Sequence, residues 1–422
     1  MTAIPFGVLP SGWRMGRIKD LVGNAANGVW GDEPVGDGRD VYCVRAADFD
    51  RDALTVRRDK LPLRRVDPRV LRKHRLRRGD LVWEKSGGGE TQPVGLTVMF
   101  DLSDDAVCSN FCTKLSPKAG TDPRYLAYVF AAAYAAGLNQ RSIKQTTGLQ
   151  NLDGKAFLAE SWPIPDFEEQ RRIANFLDEE TYRLDTTATL RQRQLLLVDE
   201  RRRAAVQEIF AESLSGAMTK VKYLLAQRPT YGVLVPEFVE DGVPFIRIQD
   251  LGHLQQEGLE LKRIPRSLSA QYRRTNLRTG DVLVSVVGTL GRAAIVPQWL
   301  EGANVNRAIA CLRVAPFVDR RLLVAWLATR HFEIQALDAT ASDSAQRTLG
   351  MGDLSNFILR WPQDPQEQLR MSAEVAEVDR GCDAIRVSIN RQIRLLAERR
   401  RGLIIGAVTG QISLTTAQGA VS

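Results

Sequence analysis

Trp162-Pro163-Ile164-Pro165-Asp166-Phe167-Glu168-Glu169-Gln170 leads into a run, Glu168 to Phe210, that contains neither glycine nor proline. Trp361-Pro362-Gln363-Asp364-Pro365-Gln366-Glu367-Gln368 leads into a second charged run near the end of the chain. Within the first, Leu184, Ala188, Leu195, Val198, Ala205 and Ile209 recur at spacings of 4, 7, 3, 7 and 4. That is a heptad seam, with apolar residues kept on one side of a long helix. Within the second, Val375, Val378, Cys382, Ile385, Ile389, Gln392, Leu396 and Leu403 continue the same rhythm. Acidic residues come early and Arg399-Arg400-Arg401 late, an order that suits the helix dipole.

The two Trp-Pro segments are 199 residues apart, and other anchors repeat at nearly the same distance. Val44-Arg45 with Asp48 matches Ile246-Arg247 with Asp250 at an offset of 202, and Arg78-Gly79-Asp80 matches Thr279-Gly280-Asp281 at 201. So small a drift across separate segments indicates an internal duplication, with a period too long for a solenoid. The block preceding each long helix changes character every few residues. Val41 to Val44, Asp80 to Trp83, Val94 to Met99 and Phe111 to Leu115 read as strands, as do Phe245 to Ile248, Val282 to Val287, Ala293 to Val296 and Ala308 to Val314. A helix follows in each copy, over residues 123–139 and 319–336.

The expected fold class is α+β. It consists of two repeated α+β modules (residues 1–160 and 216–360) and two helical spacers (161–215 and 361–422). Alone in water, a helix of this length would leave its seam exposed. Two in one chain can pair as antiparallel coiled-coil helices separating the modules, with pseudo-two-fold symmetry along a rod of roughly 60 Å at ~1.5 Å per residue. The simpler alternative is two long helices that merely cap separate globular domains.

The chain has 422 residues, a net charge of +8 and 58 Lys and Arg, a balance that favours a polyanionic partner. The basic residues cluster before each Gly-Asp turn. Residues 57–78 hold eleven Lys or Arg, among them Arg64, Arg65, Arg72 and Lys73, and residues 262–278 hold six, among them Arg273 and Arg274, with no acid. A single charge run is usually a solvated face; recurrence at equivalent places favours phosphate contact. After each turn comes a glycine-rich loop, with Lys85, Ser86, Gly87 and Gly88 in one copy and Gly288, Thr289, Gly291 and Arg292 in the other. Such loops let backbone N–H groups approach phosphates or bases, and they also serve as plain hairpins. Later loops carry Lys144, Gln145, Thr146 and Thr147, and Gln346, Arg347 and Thr348, side chains able to bond base edges or simply to cap turns. Arg45, Arg247, Gln249, Asn306 and Arg307 complete the candidate DNA contacts.

Catalytic signatures are missing. No GxxxxGK[ST], HExxH or GxSxG occurs, and Asp153-Gly154-Lys155 lacks the upstream acid of a nuclease triplet. Five scattered cysteines and three histidines, none of the latter near Cys108 and Cys112 in sequence, argue against a metal site. Without a secretory signal or a span of ~20 apolar residues, the expected location is the cytoplasm.

Taken in order and twice over, these pieces resemble the specificity subunit of type I restriction-modification systems across nearly the whole chain. They are Leu9-Pro10-Ser11-Gly12-Trp13, Ile246-Arg247-Ile248-Gln249-Asp250-Leu251 with its counterpart Val44 to Phe49, the Gly-Asp turns, Gly288-Thr289-Leu290-Gly291-Arg292, Asn304-Val305-Asn306-Arg307 and the Trp-Pro/Glu-Gln joints. Copy one departs from the pattern, with Glu84 to Gly89 in place of the Gly-Thr-x-Gly form. The resemblance implies two target-recognition domains reading the halves of a split, asymmetric double-stranded DNA site. It also implies two methyltransferase subunits docked on the spacers, methylating adenine N6 from S-adenosylmethionine, and motor-nuclease subunits using ATP and Mg. This chain itself would be non-catalytic and carry no cofactor. A methyltransferase-only or type IIB-like system would use the same architecture. A self-contained DNA-modifying enzyme and a coiled-coil adaptor that binds no DNA are the readings from other classes.

Overall fold

The computed structural model describes residues 7–89, 92–146, 149–212, 216–341 and 347–412. The chain divides into two compact units, Met1–Leu190 with Gln392–Ser422, and Arg191–Arg391. The four segments expected from sequence are thus regrouped into two. The helical segments are shared between the units because their ends are built into the module cores.

In the first unit a six-stranded sheet runs in the order Val22–Asn27, Cys112–Pro117, Leu81–Glu84, Thr97–Met99, Thr55–Val56, Phe49–Asp50. Beside it lies a three-stranded sheet in which Ala106–Cys108 pairs parallel with Val41–Val44. The Pro123–Ala135 helix starts at Asp122, whose carboxylate accepts the Arg124 and Tyr125 amides, and it buries Tyr125, Val129 and Phe130. Trp83, Phe130 and Phe157 form an aromatic cluster with centroids 5.2–5.6 Å apart. The module closes on itself: Arg14–Arg17 pairs antiparallel with Ser161–Ile164, the strand carrying the buried Trp162.

The second unit repeats this plan. Its four-stranded sheet runs Thr230–Tyr231, Ile309–Leu312, Val282–Ser285, Ala293–Ile295, and Val243–Ile246 pairs parallel with Asn304–Val305. Ala217–Lys220 pairs with Ile358–Trp361 to close the module. The helix expected over 319–336 is two, Arg320–Leu327 and Arg330–Ala339. Thr329 breaks it, since its hydroxyl caps the second helix at the Phe332 amide and donates to the Trp326 carbonyl.

The first long helix is Phe167–Glu212 and the second Pro365–Val408. At the head of each, one glutamine makes the same joint. Gln170 accepts the Asp122 amide (3.1 Å) and donates to the Pro165 carbonyl (3.1 Å). Gln368 accepts the Asp319 amide (2.8 Å) and donates to the Pro362 carbonyl (3.0 Å). In unit one the helices are tied by Arg400 and Asp185 (3.1 Å), and in unit two by Arg386 with Asp199 (2.5 Å) and Arg202 with Asp379 (2.6 Å). As one partner's number rises the other's falls, the signature of antiparallel pairing.

Leu184, Val198, Cys382 and Ile389 are buried along the seam, with Ala188, Leu195, Ala205, Ile209, Val378, Leu396 and Leu403 half-buried. Ile385 is instead exposed, while Arg386, one residue on, reaches across to Asp199. Val206 and Phe210 bury more deeply than Ala205 and Ile209, as expected for a straight helix drifting from a heptad repeat. The Arg399–Arg401 cluster does not end the second helix. Apolar residues carry it on to Val408, and its last turn holds no basic residue. Ile404, Ala407 and Val408 sit in the core with Ile18, Trp83 and Ile173, while Val206 and Phe210 sit in the core with Trp326, Trp361 and Met371. Among the described residues no helix is long and apolar enough to cross a membrane.

Candidate nucleic-acid interface

The repeated motifs turn out to build scaffold. Arg45 lies bidentate on Asp48, its Nε and Nη2 donating at 2.9 and 2.7 Å, and Arg247 repeats this on Asp250 at 3.1 and 3.2 Å. Both guanidiniums therefore cap a short 3-10 turn, which leaves them less free for DNA than their sequence positions suggested. Asp80 and Asp281, buried after the glycine turns, accept the Arg77 and Arg278 amides and face Lys114 (3.4 Å) and Arg313 (2.8 Å).

The basic segments divide in the same way. Arg64 pairs with Glu33 and lies 4.1 Å over the Trp30 ring, and Arg65 is held by Asp37 at 2.5 and 2.9 Å. The Arg65 guanidinium beside Asp37, with the Arg39 amide, holds that carboxyl below its usual range. Arg72 and Lys73 project from the short Pro68–His74 helix, exposed and without an ion pair among the described residues. Arg273 and Arg274 do the same in copy two, lining a 590 Å³ cavity with Tyr231 and Tyr272. These four remain available to a phosphate backbone.

The loops that the sequence placed far apart meet in space. Ser86–Gly87 pairs with Leu149–Leu152, which pairs with Ile143–Thr146, so the glycine loop and the Lys144 loop form one small sheet. Ser86 Oγ donates to Asn151 Oδ1 (2.7 Å), and Lys85 Nζ donates to Asn27 Oδ1 (3.3 Å). Lys144 is exposed and donates to Asp153 (2.8 Å), which keeps that carboxyl below its ordinary range. Asp153 thus caps a helix and anchors Lys144. Gln145 and Thr146 lie in the strand by backbone; Thr147 falls outside the described residues.

In copy two Val287 bridges Thr348, and the Gly288 amide donates to the Arg347 carbonyl (3.0 Å), so the two loops meet again. Gly291 has a φ of +85°, and a Cβ there would stand 2.8 Å from the Leu327 carbonyl, which requires glycine. Thr289, Arg292, Arg307, Arg347 and Gln249 are exposed, while Asn306 accepts the Ala308 amide to set the turn. Gln346 falls outside the described residues.

Sequence reasoning passed over Trp30, Phe111 and the buried Glu84. They line a cavity of about 490 Å³ with Arg45, Ser86, Gly87 and Asn110. Burial pushes the Glu84 carboxyl up from its usual value, and the Arg51 charge and the Gly95 and Leu96 amides oppose this only in part. The one signal in the sequence was the copy-one departure at Glu84 itself. Among the described residues no cluster of His, Cys, Asp and Glu could hold a metal ion.

A family model for the type I restriction modification DNA specificity domain matches residues 75–194. The type I restriction enzyme EcoBI specificity subunit of Escherichia coli is 24% identical over 344 residues, covering 74% of this chain and 70% of that protein. A chain solved in work on complex assembly and conformational transition of the type I R-M system superposes with a TM-score of 0.68. It is 18% identical, with 96% of this chain and 99% of that chain covered. The HsdS subunit from Thermoanaerobacter tengcongensis, also 18% identical, gives a TM-score of 0.49 over 96% of this chain and 98% of that one. In sequence and in fold, this chain resembles the DNA-specificity subunits of type I restriction-modification systems.

Proposed function

We propose that the chain reads a bipartite, asymmetric duplex DNA target, one half per module, as the non-catalytic specificity subunit of a type I restriction-modification complex. The observation that carries this reading is a scaffold built twice with different residues in the same loop. The Gly-Asp turn, the Arg–Asp cap and the glutamine joint recur, whereas Lys85-Ser86-Gly87 stands in one copy where Val286-Val287-Gly288 stands in the other. Arg72, Lys73, Arg273 and Arg274 would take phosphates, and the paired loops would present side chains to base edges.

Methylation of adenine N6 from S-adenosylmethionine would belong to two methyltransferase subunits docked on the long helices. ATP- and Mg-dependent translocation and cleavage would belong to motor-nuclease subunits. Docking is supported by apolar side chains left in solvent on the helices: Tyr182, Leu190 and Leu395 in unit one, and Leu196, Leu197 and Val387 in unit two, each more than half exposed.

The test is a single-molecule methylome of the host with and without this gene, scored for N6-methyladenine. A split motif, two short specified halves around a fixed gap, is expected to vanish on deletion. A methylome with no split motif that depends on the gene would refute the reading.

A further inference from the structure

The glutamine joints and strand registers align the two units residue by residue. Gln170 with Asp122 corresponds to Gln368 with Asp319, and the Leu81 and Met99 pair to Val282 and Ile295. Arg124, Tyr128 and Asp178 of unit one therefore correspond to Arg321, Ala325 and Ala376 of unit two. In unit one these three close the angle between the module and its long helix. Arg124 Nη1 donates to Asp178 Oδ2 (2.7 Å), and the Tyr128 hydroxyl donates to Asp178 Oδ1 (2.8 Å). The sheet also runs on past Thr97–Met99 into Thr55–Val56 and Phe49–Asp50, and Leu54, between those two strands, is buried in one core with Leu177 of the helix.

Unit two keeps the arginine without those partners. Ala376 and Ala325 stand where unit one has the carboxylate and the phenol. Among the described residues its four-stranded sheet ends at Ala293–Ile295, and the Ile295 carbonyl accepts Gln255 Nε2 (2.9 Å). A cleft of about 800 Å³ stays open there, walled by Pro297, Pro316, Val318, Leu369 and Ala373. Arg320 and Arg321 line it, both exposed and without an ion pair among the described residues. Nearby carboxylates are engaged: Asp319 with the Leu322 amide (2.9 Å) and the Ser372 hydroxyl (3.3 Å), Glu374 with Arg370 (2.6 Å), and Asp379 with Arg202 (2.6 Å). Leu369, on the long helix, is 62% exposed.

An apolar cleft that keeps a guanidinium and lacks the matching acid is complementary to an acidic group brought by another chain. The cleft also lies away from the loops proposed to read DNA. Ile295 is at the open end of the hairpin formed by Val282–Ser285 and Ala293–Ile295, and the loop holding Gly288 and Gly291 is at the other. The Arg320–Leu327 helix spans the distance, roughly 10 Å at ~1.5 Å per residue, from the cleft to Leu327 beside Gly291. Apolar walls suit a protein segment better than a phosphate chain, which needs a polar, basic track. We propose that the cleft of unit two docks a segment of a protein partner in which a Glu or Asp side chain projects from an apolar stretch, its carboxylate pairing with Arg321 as Asp178 pairs with Arg124. In unit one the same place is filled by the chain's own residues. The inference rests on the proposed assembly, in which that partner is a methyltransferase subunit.

The experiment is a calorimetric titration of the purified full chain with the host's type I methyltransferase subunit, run on the unaltered chain, Arg321→Ala and Ala376→Asp. Both substitutions lie outside the buried core. Arg321→Ala removes the guanidinium and is expected to weaken docking about tenfold or more, as a charge-assisted hydrogen bond withdrawn from water allows. Ala376→Asp supplies the internal acid of unit one, occupies Arg321, and is expected to weaken docking to a similar degree. Arg124→Ala, the matching change in unit one, is the control and is expected to dock within about twofold of the unaltered chain. Docking by Arg321→Ala or Ala376→Asp that matches the unaltered chain overturns the proposal, and so does equal weakening by Arg124→Ala, which would make the effect one of overall charge. Weaker binding of duplex DNA by Arg321→Ala with methyltransferase docking unchanged gives the arginine to phosphate and overturns it as well. No docking by the unaltered chain removes the assembly reading and the cleft with it, an outcome distinct from docking that ignores the cleft.

Discussion

Arg45 illustrates how a side chain can be correct in chemistry and different in role. A guanidinium in a basic, duplicated motif is a natural phosphate ligand, yet its Nε–Nη2 edge is spent on Asp48, as that of Arg247 is on Asp250. Glu84 is the reverse case, unremarkable in sequence and chemically conspicuous once buried. Its folded-state pKa is raised, so between the unfolded and folded values the native state holds more protons than the unfolded one. Its contribution to stability is thus full below the unfolded value and lost as pH rises through the folded one. Glu84→Gln is expected to raise the thermal midpoint at pH 8 by on the order of 2 °C, with the gap closing as pH falls toward the ordinary carboxylate range. Thermal melts of both forms across pH check this, and an equal gap at every pH would contradict it. All five cysteines are buried, with the Cys43 thiol pushed up to about 11 and Cys112 to about 12, both by desolvation first. The native protein is expected to resist a thiol-alkylating reagent at pH 8 and to react at all five sites only after unfolding.

Each long helix is an element whose outside was readable and whose ends were not. Heptad spacing marked Leu184, Val198, Val375, Cys382 and Ile389, which bury, and also Ile385, which is exposed. The ion pairs between the helices are part-exposed and contribute about 0–1 kcal/mol each, so the apolar seam dominates. Replacing Leu195 and Val198 by Asp is expected to abolish partner assembly while the α+β modules stay folded, whereas Asp199→Ala should change stability by under about 1 kcal/mol. Size-exclusion chromatography with the partner subunits and urea titration separate the two outcomes. The glutamine joints are more consequential. Gln368→Ala leaves the part-buried Asp319 amide and the Pro362 carbonyl without their partner, and is expected to cost about 2 kcal/mol in urea unfolding.

Across the molecule, duplication separates what must be shared from what is free to differ. Motifs present in both copies are joints, caps and turns, while residues that differ, Lys144 and Arg347 among them, stay exposed. On the proposed half-site reading, the two halves of a target would be read independently. Lys144→Ala is expected to relax one half of a methylated motif and Arg347→Ala the other, read from the methylome; loss of both halves from either change would defeat modular reading. The chain's last helical turns belong to its first unit, where Ile404 is buried beside Ile18 and Trp83. Ile404→Ala is expected to destabilise by about 3 kcal/mol. Limited proteolysis should then open residues of the first unit before those of the second.

By itself the sequence determined the duplication, the α+β character of each module, both long helices and their seam, because periodicity and paired motifs are local and survive without coordinates. It also located the two loops of each module. Only the tertiary structure decided that those loops share one sheet in copy one and bridge in copy two. It likewise decided which arginines are already committed to Asp48, Asp250, Glu33 and Asp37, and that the helix ends complete module cores formed by distant segments. Hydrogen-bond partners and burial depend on which residues the fold brings together across long stretches of chain, and no spacing along the chain encodes that. The Trp30, Glu84 and Phe111 cavity is of the same kind, three residues separated in sequence and brought together only by the fold.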